Sequence, residues 1–217
     1  MTNAAPPEDV SRETIRRSVF GDRYDLAVAY AEILRTDGLT RGLIGPRETA
    51  RIWDRHLLNC AVVAPAIPTG AALVDVGSGA GLPGVVLALA RPDLTVVLVE
   101  PLLRRATFLV EVVSRLGLAG VTVTRSRAED LHGRLHGDVV IARAVAPLDR
   151  LVHWCLPLVG LGGELLALKG ARAEEELAVT AGILAGLGAV SWSVELLGEG
   201  VVDPPVRVVR IRRAGAG

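Results

Sequence analysis

The sequence has few aromatic residues, 3% of 217 positions, with only two cysteines and a single lysine. With so few rings, the core that a half-hydrophobic chain can bury must be aliphatic, built from Ala, Val and Leu. Cys60 and Cys155 lie far apart and outside any CxxC pair, which argues against a disulfide framework or a zinc site and fits a reducing cytosol. No uninterrupted apolar run approaches the roughly 18 residues of a spanning helix. Residues 1–10 are polar and acidic, without the basic and apolar regions of a signal peptide. A soluble, cytoplasmic protein with no membrane partner is expected. Net charge is zero, so nucleic-acid binding, if any, must come from local clusters and not from an overall basic field. Because Lys169 is the single lysine, nearly all positive charge is guanidinium. Arginine suits planar, bidentate contacts to phosphates and guanine edges; an arginine-biased codon supply explains the same composition. Apolar content and balanced charge exclude a largely disordered chain.

What is present is a change of pattern near residue 70. Residues 9–19, 23–35 and 47–63 carry apolar positions at helical spacing, with a glycine-rich loop over 36–46. From residue 71, short β-rich runs (71–76, 95–99, 121–124, 138–142, 164–168) alternate with helical stretches (84–90, 102–116, 148–158, 173–187). Such alternation implies right-handed crossovers and a mostly parallel sheet covered on both faces. Runs 190–197 and 206–212 have no helix between them and are expected to pair as an antiparallel hairpin. The fold class is therefore α/β, a Rossmann-like seven-stranded sheet ending in a hairpin, as in class I methyltransferases. The division is an N-terminal helical extension over 1–70 and a Rossmann-like domain over 71–217, packed as one unit.

The strongest local signal is Asp75-Val76-Gly77-Ser78-Gly79-Ala80-Gly81-Leu82-Pro83-Gly84, between a strand and a helix. Glycine admits positive φ and lets a ligand approach the backbone, and Pro83 suits the first helical turn. Gly79, Gly81 and Gly84 fit the dinucleotide fingerprint of an NAD-binding oxidoreductase. Gly77, Gly79 and Gly81 behind Asp75 fit the methyltransferase pattern. A carboxylate there repels a pyrophosphate yet can face the methionine ammonium of S-adenosylmethionine, directly or through water. Glu100, 25 residues after Asp75, can accept ribose hydroxyls of either cofactor; a helix cap before Pro101 is the plainer role. Ser126-Arg127-Ala128-Glu129 follows the third strand, where the loop lies over an adenine.

Read together, these residues resemble the ribosomal RNA small-subunit methyltransferase G family, also called glucose-inhibited division protein B. The match runs through Arg55-His56-Leu57-Leu58-Asn59, the stretch 75–92, Arg104-Arg105-Ala106-Thr107-Phe108-Leu109, Ser126-Arg127-Ala128-Glu129, Ile141-Ala142-Arg143-Ala144 and Leu168-Lys169-Gly170. By that resemblance Gly77 and Leu82 line the cofactor pocket, Ala128 and Glu129 contact the adenosyl portion, and Arg143 borders the site. The reaction it implies is methyl transfer from S-adenosylmethionine to a guanine N7 in the decoding-region hairpin of 16S ribosomal RNA, naked or in the small subunit. The chain departs from the family at Asn59-Cys60, where Asp-Ser is usual, and in the segment 37–44, where the family often carries Asn-Leu-Thr.

Guanine N7 needs no general base, so the expected task is alignment. Arg143, at the ligand end of the fourth strand, is the candidate for guanine O6 or a phosphate; a salt bridge or loop cap is its plainer role. Arg55, His56, Arg104, Arg105 and Lys169 are candidates for RNA contact, with Arg16, Arg17, Arg51, Arg125, Arg127 and the arginines of 207–213 as further docking residues. Each has a plain alternative, a solvated or structural side chain. No metal is expected, and nothing calls for more than a monomer. A methyltransferase of a small molecule or a protein stays open on the glycine loop alone.

Overall fold

The computed structural model describes residues 7–215, so residues 1–6, the greater part of the segment read for a leader, lie outside the described residues. Seven strands form one sheet of order β3-β2-β1-β4-β5-β7-β6. They are β1 (Ala72–Val76), β2 (Thr95–Val99), β3 (Val121–Thr124), β4 (Gly137–Arg143), β5 (Val159–Lys169), β6 (Ala189–Leu197) and β7 (Val206–Arg213). The first five pair in parallel, and β7 inserts antiparallel between β5 and β6. The helices are α1 (Pro7–Phe20), α2 (Tyr24–Ile33), α3 (Asn59–Ala61), α4 (Gly84–Ala90), α5 (Leu103–Arg115), α6 (Leu148–Cys155) and α7 (Ala173–Leu184). Strand order reverses at β1, which places the loops after β1, β2, β3 and β4 along one sheet edge. Ligands of open α/β sheets bind at that edge. No helix among the described residues is long and apolar enough to cross a membrane.

Strand periodicity divides the core in two. Along β4, Val139 and Ile141 point to the face covered by α4, α5 and the N-terminal helices, while Val140 and Ala142 point to the face covered by α6 and α7. Burial on both faces is why these strands read as continuous apolar runs. The N-terminal helices share the first core: Tyr30, Leu34, Leu57 and Leu58 pack with Val85, Leu89, Leu98 and Phe108.

Several boundaries differ from the sequence reading. The helical path of α2 runs on through a wider π-type turn at Leu34–Gly38, into residues 36–38 where a loop was expected. The stretch expected as one helix over 47–63 is a 3₁₀ segment Pro46–Arg51, a π-type segment Ile52–Leu58 and α3. Apolar spacing reports a buried face but does not distinguish turns of three, four or five residues. β5 starts earlier than 164 because its pairing with β4 shifts register after Gly137↔Val159, and the glycine-rich run Gly160–Gly163 that absorbs the shift has no β signature. Pro83 is the N-cap of α4, outside its first turn.

One buried hydrogen bond ties the extension to the sheet edge. Tyr30 on α2 donates its hydroxyl to the Ala80 carbonyl at 2.7 Å, across fifty residues of sequence. Tyr30→Phe should lower unfolding free energy by about 1–3 kcal/mol, the cost of an unpartnered buried carbonyl, measured by urea denaturation. A change below the error of that method would mean that Ala80 finds another donor.

Candidate active site

The glycine loop joins β1 to α4 and is held from three sides. Gly77 and Ser78 donate their N–H groups to Val99 O at 2.8 and 3.2 Å. Gly79 donates to Glu100 Oε2 at 3.0 Å. Gly81 has φ 94°, and an added Cβ there would lie 2.6 Å from Val85 Cγ2 and 2.7 Å from the Tyr30 hydroxyl. Gly84 permits a still closer approach: a Cβ would stand 2.3 Å from Leu98 Cδ2 and 2.6 Å from Asp75 Oδ2. That contact brings the first N–H of α4 within 2.9 Å of Asp75 Oδ2. Gly84 thus serves close helix–strand packing.

Asp75 is fully buried, and its Oδ1 has no hydrogen-bond partner. Burial raises its pKa to about 7 against the lowering influence of the Gly84 and Ser78 bonds. Strand alternation sends Asp75 toward α4 and the N-terminal helices, with no exposure to solvent. Glu100 is equally buried. Its Oε1 accepts from Leu102 N–H at 3.0 Å, so the helix-entry role and the loop contact coexist in one carboxylate. Arg105 Nη1 lies 3.9 Å from Glu100 Oε2. Ala128 is buried and Glu129 exposed where the β3 loop enters a 3₁₀ turn. Leu82 is half-buried at the helix entry.

Arg143 falls on the same face as Asp75, because both occupy odd positions in strands paired Asp75↔Ile141. It reaches into the N-terminal helices, donating from Nη1 to Cys60 Sγ at 2.9 Å and from Nη2 to His56 Nδ1 at 2.6 Å. Burial and the Arg143 charge hold the His56 imidazole below its ordinary pKa range. Its Nε2 lies 3.2 Å from Glu48 Oε2, outside good hydrogen-bond alignment. A cavity of about 1070 Å³ opens here, its wall including Glu48, His56, Asn59, Arg143, Val145 and Arg207.

The segment 144–147 separates this cavity from the glycine loop. Ala144 has φ 54°, unusual for a residue with a Cβ. Val145 lies so close that a Cβ on Gly77 would be 2.7 Å from its Cγ2. Lys169 donates to Ala146 O at 2.7 Å and to Glu176 Oε2 at 2.8 Å, and Glu176 also accepts from Leu148 N–H. Two of the three Lys169 donors are therefore engaged in fixing this segment, at the wall of the cavity.

Other arginines sort in the same way. Arg16 stacks on Trp53, Arg17 covers Tyr24 and pairs with Glu13, and Arg55 pairs with Glu48 at 3.4 Å. On β7, Arg210 joins Glu164 and Glu195, and Arg207 and Arg212 pair with Glu174 and Glu164. Most of that strand's charge is thus neutralised within the protein. Arg51, Arg104, Arg125 and Arg127 are exposed and have no acidic partner among the described residues. Sequence reasoning missed Tyr30, Cys60, Glu48 and Val145. Tyr30 could have been flagged as a rare aromatic on an apolar helix face, and Cys60 stood out only as a departure from the family motif; Glu48 and Val145 left no local signal.

The comparisons with known proteins follow this geometry. Residues 23–201 match the family model described as GidB, rRNA small subunit methyltransferase G. A ribosomal RNA small subunit methyltransferase G from Salinispora arenicola is 59% identical over 218 residues, covering 97% of this chain and 89% of that protein. One from Streptomyces avermitilis is 60% identical over 196 residues, covering 90% and 82%. Among solved structures, a SAM dependent methyltransferase from Aquifex aeolicus aligns with TM-score 0.55 at 18% identity, over 79% of this chain and all of that one. M. jannaschii TYW2 in complex with AdoMet aligns with TM-score 0.56 at 16% identity, over 74% and 76%. The fold is that of S-adenosylmethionine-dependent methyltransferases, and the methyltransferase reading of the glycine loop holds over the dinucleotide one. The chain belongs to the rRNA small subunit methyltransferase G family.

Proposed function

We propose that this chain transfers the methyl group of S-adenosylmethionine to N7 of a guanine in the decoding-region hairpin of 16S ribosomal RNA. The observation that carries this reading is the meeting of the glycine loop and the large cavity at Val145, which touches Gly77 on one side and lines the cavity on the other. A base entering that cavity comes up against Val145, with the loop directly behind it.

The residues present fit the cofactor. Gly77, Gly79 and Gly81, all at positive φ, with Leu82 form the bed for its methionine half. The buried, unpartnered Oδ1 of Asp75 suits its ammonium, directly or through one water. Glu100 has lone pairs left for the ribose hydroxyls, and Ala128 and Glu129 flank the adenosyl portion. When bound, S-adenosylmethionine supplies a methyl on a sulfonium, which becomes a thioether as the positive charge passes to the purine.

The protein's own part is alignment. Guanine N7 offers an in-plane lone pair and no proton, so no residue has to remove one. Holding nucleophile and methyl in line can supply up to about 7–11 kcal/mol. Arg143 has three N–H donors beyond those given to Cys60 and His56, and these can take guanine O6 while N7 stays free. Segment 144–147, fixed by Lys169 and Glu176, forms the wall that the loop and the cavity share. Arg55, His56, Arg104 and Arg105, with the unpaired Arg51, Arg125 and Arg127, supply the RNA-facing side. The target base reaches the pocket single-stranded or flipped. The protein works in the cytoplasm on the rRNA or small subunit, as a monomer built from a helical extension (1–70) and a Rossmann-like domain (71–217).

Three outcomes are expected. Small subunits from cells lacking this activity should accept labelled methyl from S-adenosylmethionine and yield 7-methylguanosine at one position by mass spectrometry; cofactor binding without transfer would withdraw the RNA assignment. Arg143→Ala should lower kcat/KM about 100-fold, in line with loss of an oriented donor, and unchanged turnover and RNA affinity would remove Arg143 from the site. Asp75 has a native pKa above its unfolded value, so its protonated form stabilises the fold below about pH 4 and that contribution is lost as pH rises through about 7. Asp75→Asn keeps an acceptor for Gly84 and should therefore gain stability over the wild type between about pH 5 and pH 8. Wild-type cofactor affinity should rise over the same interval and that of Asp75→Asn should not; parallel profiles by calorimetry would separate Asp75 from the ammonium.

A further inference from the structure

Arg143, His56 and Glu48 follow one another along the cavity wall, and their order fixes the proton on the histidine. A guanidinium has no acceptor, so His56 Nδ1, 2.6 Å from Arg143 Nη2, must offer its lone pair. The ring is then neutral and carries its one proton on Nε2, which faces Glu48 Oε2 at 3.2 Å. Arg143 cannot accept and Glu48 cannot donate, so the wall presents a fixed donor and a fixed acceptor one imidazole ring apart.

Guanine has a matching edge. Once N7 is reserved for the methyl, its remaining signature is the O6 acceptor next to the N1–H and N2–H donors. Adenine reverses the first two of these, placing an amino donor where guanine has O6 and a lone pair where guanine has N1–H. It would meet Arg143 and Glu48 with the wrong polarity at both.

The other carboxylates of the cavity are less suited. Asp54 is paired with Arg12 at 3.1 Å. Glu176 is engaged by Lys169 and the Leu148 N–H. Asp203 is exposed, with no side chain found to fix its rotamer among the described residues. Glu48 is half-buried, with one oxygen 3.2 Å from His56 Nε2 without an aligned hydrogen bond, and the other touched only by the exposed Arg55 at 3.4 Å. Two base donors can replace that long contact.

We propose that Glu48 is the specificity-determining residue of the site, accepting N1–H and N2–H of the target guanine, with His56 as the positioning residue that keeps it in line with Arg143. The proposal rests on the guanine-N7 reading of the same cavity.

Its test uses small subunits reconstituted with 16S RNA carrying guanosine or inosine at the methylated position. Inosine keeps O6, N7 and N1–H and lacks only the N2 amino group. The full-length wild-type protein should prefer guanosine by about 10- to 100-fold in kcat/KM, the discrimination of a paired polar edge. Glu48→Gln should lose most activity on guanosine while its guanosine-to-inosine ratio falls toward one. Glu48→Asp should recover part of that ratio. Loss of fold moves overall rates but not the ratio, and cofactor binding by each variant checks that the pocket is intact. A Glu48→Gln protein that keeps the wild-type ratio overturns the role of Glu48 alone. A wild-type protein that places no methyl on guanine N7 overturns the underlying reading as well.

Discussion

The contact between the Asp75 carboxylate and the first turn of α4 sets the geometry of everything around it. A buried anion is costly unless its oxygens are occupied, and here one oxygen takes the Gly84 N–H while the other is left over. The helix can come that close only because position 84 has no side chain. With α4 pulled onto β1, the intervening residues must turn tightly, and their N–H groups and carbonyls bond to Val99, Glu100 and Tyr30. The loop is rigid because its two ends are fixed by packing that has nothing to do with a ligand.

The same strand alternation that buries Asp75 directs Arg143 into the N-terminal helices. Those helices therefore form one wall of the cavity as well as covering the sheet. Cys60, His56 and Glu48 all come from the segment 48–60, which packs against α4 and the sheet. A charge at the end of β4 is held by soft and neutral acceptors, a thiol and an imidazole, which leave most of its donors and all of its charge available. Segment 144–147 completes the division of labour: Lys169 and Glu176, from β5 and α7, fix the partition between the two pockets from behind.

The parallel sheet, its order of elements and the closing hairpin were legible because two-sided burial writes apolar runs of strand length, and because glycine and proline punctuate them. The bounds of β2, β3 and α4 coincide with their sequence patterns. Legibility failed where hydrogen-bond spacing departs from the regular helix, at Leu34–Gly38 and Ile52–Leu58, and where a bulge hides in glycines, at the start of β5. At the site, Asp75 and Glu100 were visible from their places at strand ends, but not the extent of their burial. Arg143 could be located on β4, yet its partners lie more than eighty residues away on an element whose path the sequence did not define. The arginines of β7 looked like a docking surface because charge in a sequence carries no sign of the carboxylate on the neighbouring strand.

The direction of Arg143 depends on counting. Ile141 is paired opposite Asp75, and Arg143 reaches Cys60 and His56 only because an even number of residues separates it from that pair. Losing or gaining one residue after Ile141 would turn the guanidinium to the opposite face, among Leu148 and Leu151 and away from Cys60 and His56. Losing two would restore the face but draw the charge back by about 6.6 Å along the strand. This part of the chain is thus unable to change length by one residue without losing those contacts.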